Sequence, residues 1–269
     1  MLIPRLGTDP TGQQYGQAYY VGGAGPFGNI GTIDVPKGLR RAGYKGAIEV
    51  FGWQSILGGT LRDQIDRERN EEQARLLAER IQRYQAEYPG RPVHIVALSA
   101  GTGIVTWALE MLPEGCRVGN VVFLSSSLSR GYDLAAALKH IDGRLSNFHS
   151  SRDPVLRYGV AITGSIDRES FSPSAAGLHG FSLPLDADED VRQLYKLRLR
   201  NRPYQSSWAR YGYRGYHTDN TTVEFVRHVV APLVVQALAP AQPAAVSGSA
   251  PAPQPVTAPP APARRGDRQ

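Results

Sequence analysis

The sequence predicts an α/β fold: a mostly parallel sheet of about six strands, covered by helices. Three observations carry that expectation. Short segments of strand composition alternate with segments of helical periodicity, the order a parallel sheet with helical crossovers requires. The stretch Val93 to Leu98 is nearly all apolar instead of alternating, as a strand buried under helices on both faces reads. A chain of 269 residues with 41% hydrophobic residues can bury one large core or at most two small ones.

The elements follow in order. Ala18 to Val21 reads as a buried strand that runs into the glycine-rich stretch Gly22 to Gly28. Asp34 followed by Pro36 marks a helix start, with Gly43 as its stop. Ala47 to Phe51 is the next strand. A longer helix is expected from Asn70, which has capping-box spacing to Gln73, to just before Pro89 and Gly90. Its Leu77, Ile81, Tyr84 and Tyr88 recur at helical spacing and make one apolar face. Val93 to Leu98 then turns through Ser99 to Gly103 into a second apolar helix ending near Leu112. Val121 to Leu124, Arg144 to His149 and, with weaker composition, Tyr204 to Arg210 complete the strands. Val223 to Val235 reads as a closing amphipathic helix.

Residues 1–238 are expected to form the folded domain. From Ala239 the chain is almost entirely Ala, Pro, Gln, Val, Ser, Thr and Gly, and 8 of its 20 prolines lie there. Residues 239–269 are therefore expected to be a disordered tail that cannot offset its ordering entropy by burial. The net charge of +6 is mild, and the tail arginines supply part of it. No motif focuses it for nucleic-acid binding. The alternation of Lys196, Arg198, Arg200 and Arg202 reads as a solvated basic segment end. Apolar runs are too short to cross a bilayer, and no basic-then-apolar leader precedes a small-residue cleavage site. With Cys116 alone, a cytoplasmic location in a reducing compartment is the expectation.

The chemistry concentrates at Ser99. A serine in a sharp turn between a buried strand and a helix is pushed into a sparsely allowed backbone region, with its hydroxyl exposed above the sheet edge. Strand and helix can approach that closely only if the residues two before and two after are small, and here they are Ala97 and Gly101. The helix also aims its N-terminal amides at the place where an oxyanion would form. This resembles the nucleophile elbow of the α/β-hydrolase superfamily, Gly-x-Ser-x-Gly, with alanine in place of the first glycine. The resemblance implies a three-layer sandwich and a serine esterase or lipase-like activity without a cofactor. The chain begins only a short way before its first strand, so the expected sheet lacks two leading strands common in that superfamily. Any cap falls within Gly159 to Arg202.

A nucleophilic serine needs a base, and the base an orienting carboxylate. The resemblance implies the order serine, acid, histidine. Asp153, just past the strand ending at His149 and followed by Pro154, takes the acid position, with Asp133 as substitute. His217, before the closing helix, takes the base position, with His179 in reserve. By the same resemblance, the loop after the first strand gives a second oxyanion donor, the amide of Ala24, beside that of Ala100. The expected reaction is cleavage of a carboxylic ester of a small-molecule acyl substrate through an acyl-enzyme.

Two other function classes stand beside this. Gly23-x-Gly25-x-x-Gly28 after a strand, with Glu49 at the end of the next, is also the spacing of a dinucleotide-binding oxidoreductase; Gly31, Asp34 and Pro36 would interrupt the helix such a site needs. A non-catalytic hydrolase-like domain that binds partners through its proline-rich tail is the third. Tyr211, Tyr213 and Tyr216 with Trp208 either wall a pocket beside His217 or pack a rim. No cluster of Cys, His, Asp or Glu has metal-ligand spacing.

Overall fold

Two inner strands owe their place to composition. β1 (Gln17–Val21) and β3 (Val93–Leu98) are buried along their whole length. Each carries side chains that suit both faces, so the sheet can be covered on both sides. The computed structural model of the chain describes residues 6–24, 30–54, 66–159, 165–167 and 174–235. These all lie within the unit Met1–Leu238. The Pro/Ala-rich segment from 239 lies outside the described residues.

β2 (Ala47–Phe51), β4 (Val121–Leu124), β5 (Leu145–His149) and β6 (Leu199–Pro203) complete a six-stranded sheet of order β2-β1-β3-β4-β5-β6. Every pairing is parallel, with Val21 opposite both Phe51 and Ala97. The chain winds outward from β1 in both directions, so the order reverses between β1 and β3. In open parallel sheets, ligands bind at such a reversal, beyond the carboxyl ends of the strands.

The helices make the outer layers. On one face lie α2 (Arg67–Glu87), α3 (Gly101–Glu110), α4 (Ala135–Lys139) and α6 (Glu189–Arg198). Leu77, Ile81, Ile104 and Leu138 pack there against Tyr19, Ile95, Ala97 and Phe123. The other face is covered by α1 (Asp34–Arg41) and by the closing helix. That helix runs through Val223–Phe225, a π-helical turn at Val226–Val230, and Ala231–Val235. Val35, Leu39, Phe225, Val230 and Val234 meet Tyr20, Val50, Val96 and Phe148 on that side. The short α5 (Ala176–His179) packs at the end of β5. No helix among the described residues is long and apolar enough to cross a membrane.

Two elements differ from the expectation. α2 starts at Arg67 instead of Asn70, because the Asp66 side chain accepts the Arg69 amide and caps the helix there. Asn70 is buried inside the first turn. The last strand is Leu199–Pro203 instead of Tyr204 to Arg210, which instead carries the 3-10 turn Ser206–Tyr211. The strand's register is fixed by Asn147, which donates to Asn201 at 3.2 Å, and by Arg202, which donates to Ser146 at 3.1 Å. The basic segment read as solvated thus supplies the edge strand, and its charges oppose further strand pairing.

His94 is fully buried in β3, and its Nδ1 accepts the Asn120 amide at 3.0 Å. Burial lowers its pKa from 6.5 to about 4. The folded chain therefore takes no proton here until the pH nears 4, whereas the unfolded chain takes one near 6.5. Stability from this group is complete above the unfolded value and falls as pH drops through the window, by about 3 kcal/mol in all. Urea unfolding at pH 7 and pH 4.5 should show a larger loss in the wild type than in His94→Gln, whose amide oxygen can still accept from Asn120. Equal losses in the two proteins would refute this.

Candidate active site

The turn after β3 is strained in the way its sequence foretold. Ser99 has φ 53°, a left-handed conformation rare outside glycine. Hydrogen bonds hold it there. Its amide donates to the Leu124 carbonyl at 2.9 Å, and its carbonyl accepts from the Thr102 amide at 3.0 Å and the Thr102 hydroxyl at 2.7 Å. α3 then begins at Gly101, with Ala100 as N-cap. A Cβ on Gly101 would stand 2.3 Å from the Gly22 carbonyl oxygen and 2.5 Å from that of Val21, so only glycine lets the end of β1 and the start of α3 meet. Ala97, fully buried, is the other small neighbour.

Asp153 follows β5 on a loop anchored by the Ser150 amide, which donates to Gly177 at 2.8 Å. Its carboxylate is 1% exposed, and both oxygens have partners. Oδ1 accepts the Leu156 amide at 3.0 Å and Oδ2 is 2.7 Å from His217 Nδ1. A buried carboxylate is tolerated only when it is satisfied in this way. With Nδ1 against the acid, Nε2 is the ring nitrogen on the far side from Asp153. The loop that carries His217 lies directly on the acid's loop: a Cβ at Gly215, φ 96°, would come 2.7 Å from Ser150 Oγ.

One further contact ties that loop toward the serine turn. Asn220 donates to the Ser125 hydroxyl at 2.9 Å, and Ser125 follows β4, whose Leu124 holds the Ser99 amide. Ser125 also has a left-handed backbone, φ 48°. Sequence reasoning missed this pair, since neither residue has a local signature. Ser99, Asp153 and His217 thus all lie past the carboxyl ends of the strands, with Asp153 and His217 in direct contact.

The other candidates fall elsewhere. Asp133 accepts the Ala135 amide at 2.8 Å and the Tyr195 hydroxyl at 3.3 Å, the role of a helix-start residue at α4. His179 is exposed at the end of α5 and lines a cavity of about 310 Å³ with His149, Arg152 and Tyr204. Ala24 and Ala100 are both buried beside the turn, Ala24 just past β1. Gly25 and Gly28 lie outside the described residues. The helix after that stretch begins only at Asp34, and Glu49 is ion-paired with Arg80, so the acid of the dinucleotide pattern is already engaged.

Tyr213 and Trp208 are packing residues: they stack at 5.9 Å and both contact Phe225. Burial, then the Asp153 charge, raises the Tyr213 hydroxyl pKa well above its ordinary value. Tyr211 stacks on His228, whereas Tyr216 is half-exposed and lines a cavity of about 470 Å³ with Arg152, Arg157 and Tyr158. Among the described residues no group of three or more His, Cys, Asp or Glu could hold a metal.

No protein-family model matches the chain, and no curated protein does. Solved structures do. Lipase B of Aspergillus fumigatus superposes with TM-score 0.50 at 12% identity, over 82% of this chain and 53% of that one. An esterase of Pyrococcus furiosus gives 0.48 at 10% identity, over 82% and 81%. A carboxylesterase of Mesorhizobium loti gives 0.44 at 12%, over 86% and 98%. The chain has the α/β-hydrolase fold, with a parallel six-stranded centre.

The packing at the turn makes a sharp prediction. Gly101→Ala forces β1 and α3 apart and should destabilise the protein by about 1–3 kcal/mol. Gly131→Ala, where a Cβ meets nothing within 4 Å, is the control and should be nearly neutral. Thermal melting compares them, and equal melting temperatures would show that the contact at Gly101 is slack.

Proposed function

We propose that the protein is a serine hydrolase that cleaves a carboxylic ester through an acyl-enzyme. The observation that carries this reading is the buried Asp153–His217 pair, 2.7 Å apart, at the sheet edge where Ser99 is held in a left-handed turn. Likeness of fold does not enter, because one fold hosts many chemistries.

In this mechanism Ser99 Oγ attacks the acyl carbonyl carbon while His217 Nε2 takes the hydroxyl proton. Asp153 holds the ring in the tautomer with the proton on Nδ1, so that Nε2 is the accepting nitrogen, and it stabilises the imidazolium that forms. The amides of Ala24 and Ala100 donate to the carbonyl oxygen as it becomes an oxyanion. When the carbonyl re-forms, the bond to the alcohol oxygen breaks, and His217 gives its proton to the departing alcohol. Water then adds to the acyl-enzyme, losing a proton to His217. The Ser99 oxygen leaves with that proton, and the carboxylic acid is released. None of these steps calls for a metal or an organic cofactor.

Activity on a short p-nitrophenyl ester tests the reading. Ser99→Ala should lower turnover by at least about a thousandfold and abolish labelling by a fluorophosphonate, with the fold intact by circular dichroism. Asp153→Asn should lose on the order of 10⁴ in turnover, whereas Asp133→Asn should stay active and lose about 1 kcal/mol of stability. An active Ser99→Ala would sink the mechanism. Exchange of behaviour between the two aspartate variants would move the acid to Asp133.

A further inference from the structure

Gly22 and Gly23 follow β1 directly. Gly22 and Gly23 have no side chains to pack, and each glycine has more backbone freedom than any other residue. Their carbonyl oxygens are both held. Trp53 Nε1 donates to the Gly22 carbonyl at 2.8 Å, and Gln54 Nε2 donates to the Gly23 carbonyl at 2.9 Å.

We infer that Gln54, seconded by Trp53, is a positioning residue that aims the amide of Ala24 into the oxyanion site. This rests on the serine-hydrolase reading and adds to it a residue that touches no substrate. A peptide unit is planar and trans, with its carbonyl and its N–H on opposite sides. There is no cis peptide among the described residues. The unit joining Gly23 to Ala24 therefore has its direction fixed once its oxygen is held by Gln54: the Ala24 N–H points the other way.

Sheet order says which way that is. Gln54 follows β2, which lies on one side of β1, and β3 with Ser99 and Ala100 at its end lies on the other. A carbonyl drawn toward the β2 side turns the Ala24 N–H toward the β3 side, where the amide of Ala100 opens α3. The preceding carbonyl, that of Gly22, is wedged between the Trp53 indole and the Cα of Gly101. It cannot rotate without breaking one contact or the other.

The clamp has its own support. Trp53 is fully buried, and its backbone carbonyl accepts a hydrogen bond from the Arg69 guanidinium in the first turn of α2. The cap of that helix, Asp66, fixes the Arg69 backbone. Donors on an oxyanion contribute most when they are oriented before the charge develops, so a loosened peptide plane lowers turnover without changing how substrate first binds.

The test uses the full chain with Gln54→Met, which keeps length and loses the donor, and Gln54→Lys, which returns an N–H donor on a flexible stem. For Gln54→Met we expect kcat on a p-nitrophenyl ester to fall about tenfold or more with KM within about twofold. Affinity for an alkyl boronic acid, which becomes tetrahedral on a serine oxygen, should weaken by a similar factor. Gln54→Lys should recover part of both. Fluorophosphonate labelling of Ser99 should still go to completion, with a melting temperature close to wild type. If kcat and boronate affinity stay within twofold in an active enzyme, Gln54 positions nothing and the inference falls alone. Activity lost together with a lower melting temperature and a raised KM also overturns it, since the role is then only structural. A wild type that neither hydrolyses ester nor takes the label at Ser99 overturns this inference and the serine-hydrolase reading together.

Discussion

The approach of β1 to the start of α3 is the contact on which the rest of the site depends. It is permitted by the missing side chain of Gly101, against which the carbonyls of Val21 and Gly22 stand. Because α3 starts against the end of β1, the neighbour of β3 in the sheet, the chain from β3 into α3 must turn within Ser99 and Ala100, and Ser99 takes up the left-handed conformation. That strain costs on the order of 1–3 kcal/mol, offset by the hydrogen bonds to Leu124 and Thr102 and by the buried sheet on both sides. The same contact brings Gly22 beside the first residue of α3. The strained turn at Ser99 and the place of Gly22 beside the start of α3 are thus consequences of one packing constraint.

The pairing of Asp153 with His217 is set by a second, electrostatic constraint. A carboxylate buried as deeply as Asp153 must have its oxygens satisfied, and the Leu156 amide and the His217 ring do so. The close packing of Gly215 on Ser150 makes the two loops one unit, and the aromatic group of Trp208, Tyr213 and Phe225 braces it from the side of the closing helix. The Asn220 bond to Ser125 then ties this unit to the strand that also holds Ser99. The imidazole is thus held through contacts from elements far apart in the chain.

The sequence by itself determined β1 to β4 at or within a residue of their observed ends, because strands buried on both faces must be short apolar runs. It also determined the turn at Ser99, whose demand for small residues at Ala97 and Gly101 is a local steric rule. The resemblance carried by that turn implied Asp153 and His217 through their chain order, and the structure puts the two in contact. Where burial did not dictate composition, the reading slipped. β6 is an edge strand of Leu, Arg, Asn and Pro, held by Asn147 and Ser146 from its neighbour, and no periodicity marks it. The start of α2 slipped for a related reason: both Asp66 and Asn70 are acceptable caps, and burial of Asn70 chose between them. Only the tertiary structure could separate Asp133 from Asp153, since each precedes a plausible turn and only one meets a histidine. The clasp of Trp53 and Gln54 on Gly22 and Gly23 was likewise out of reach. It joins residues thirty-one apart through backbone carbonyls, which every residue has, so only the fold decides which ones are held.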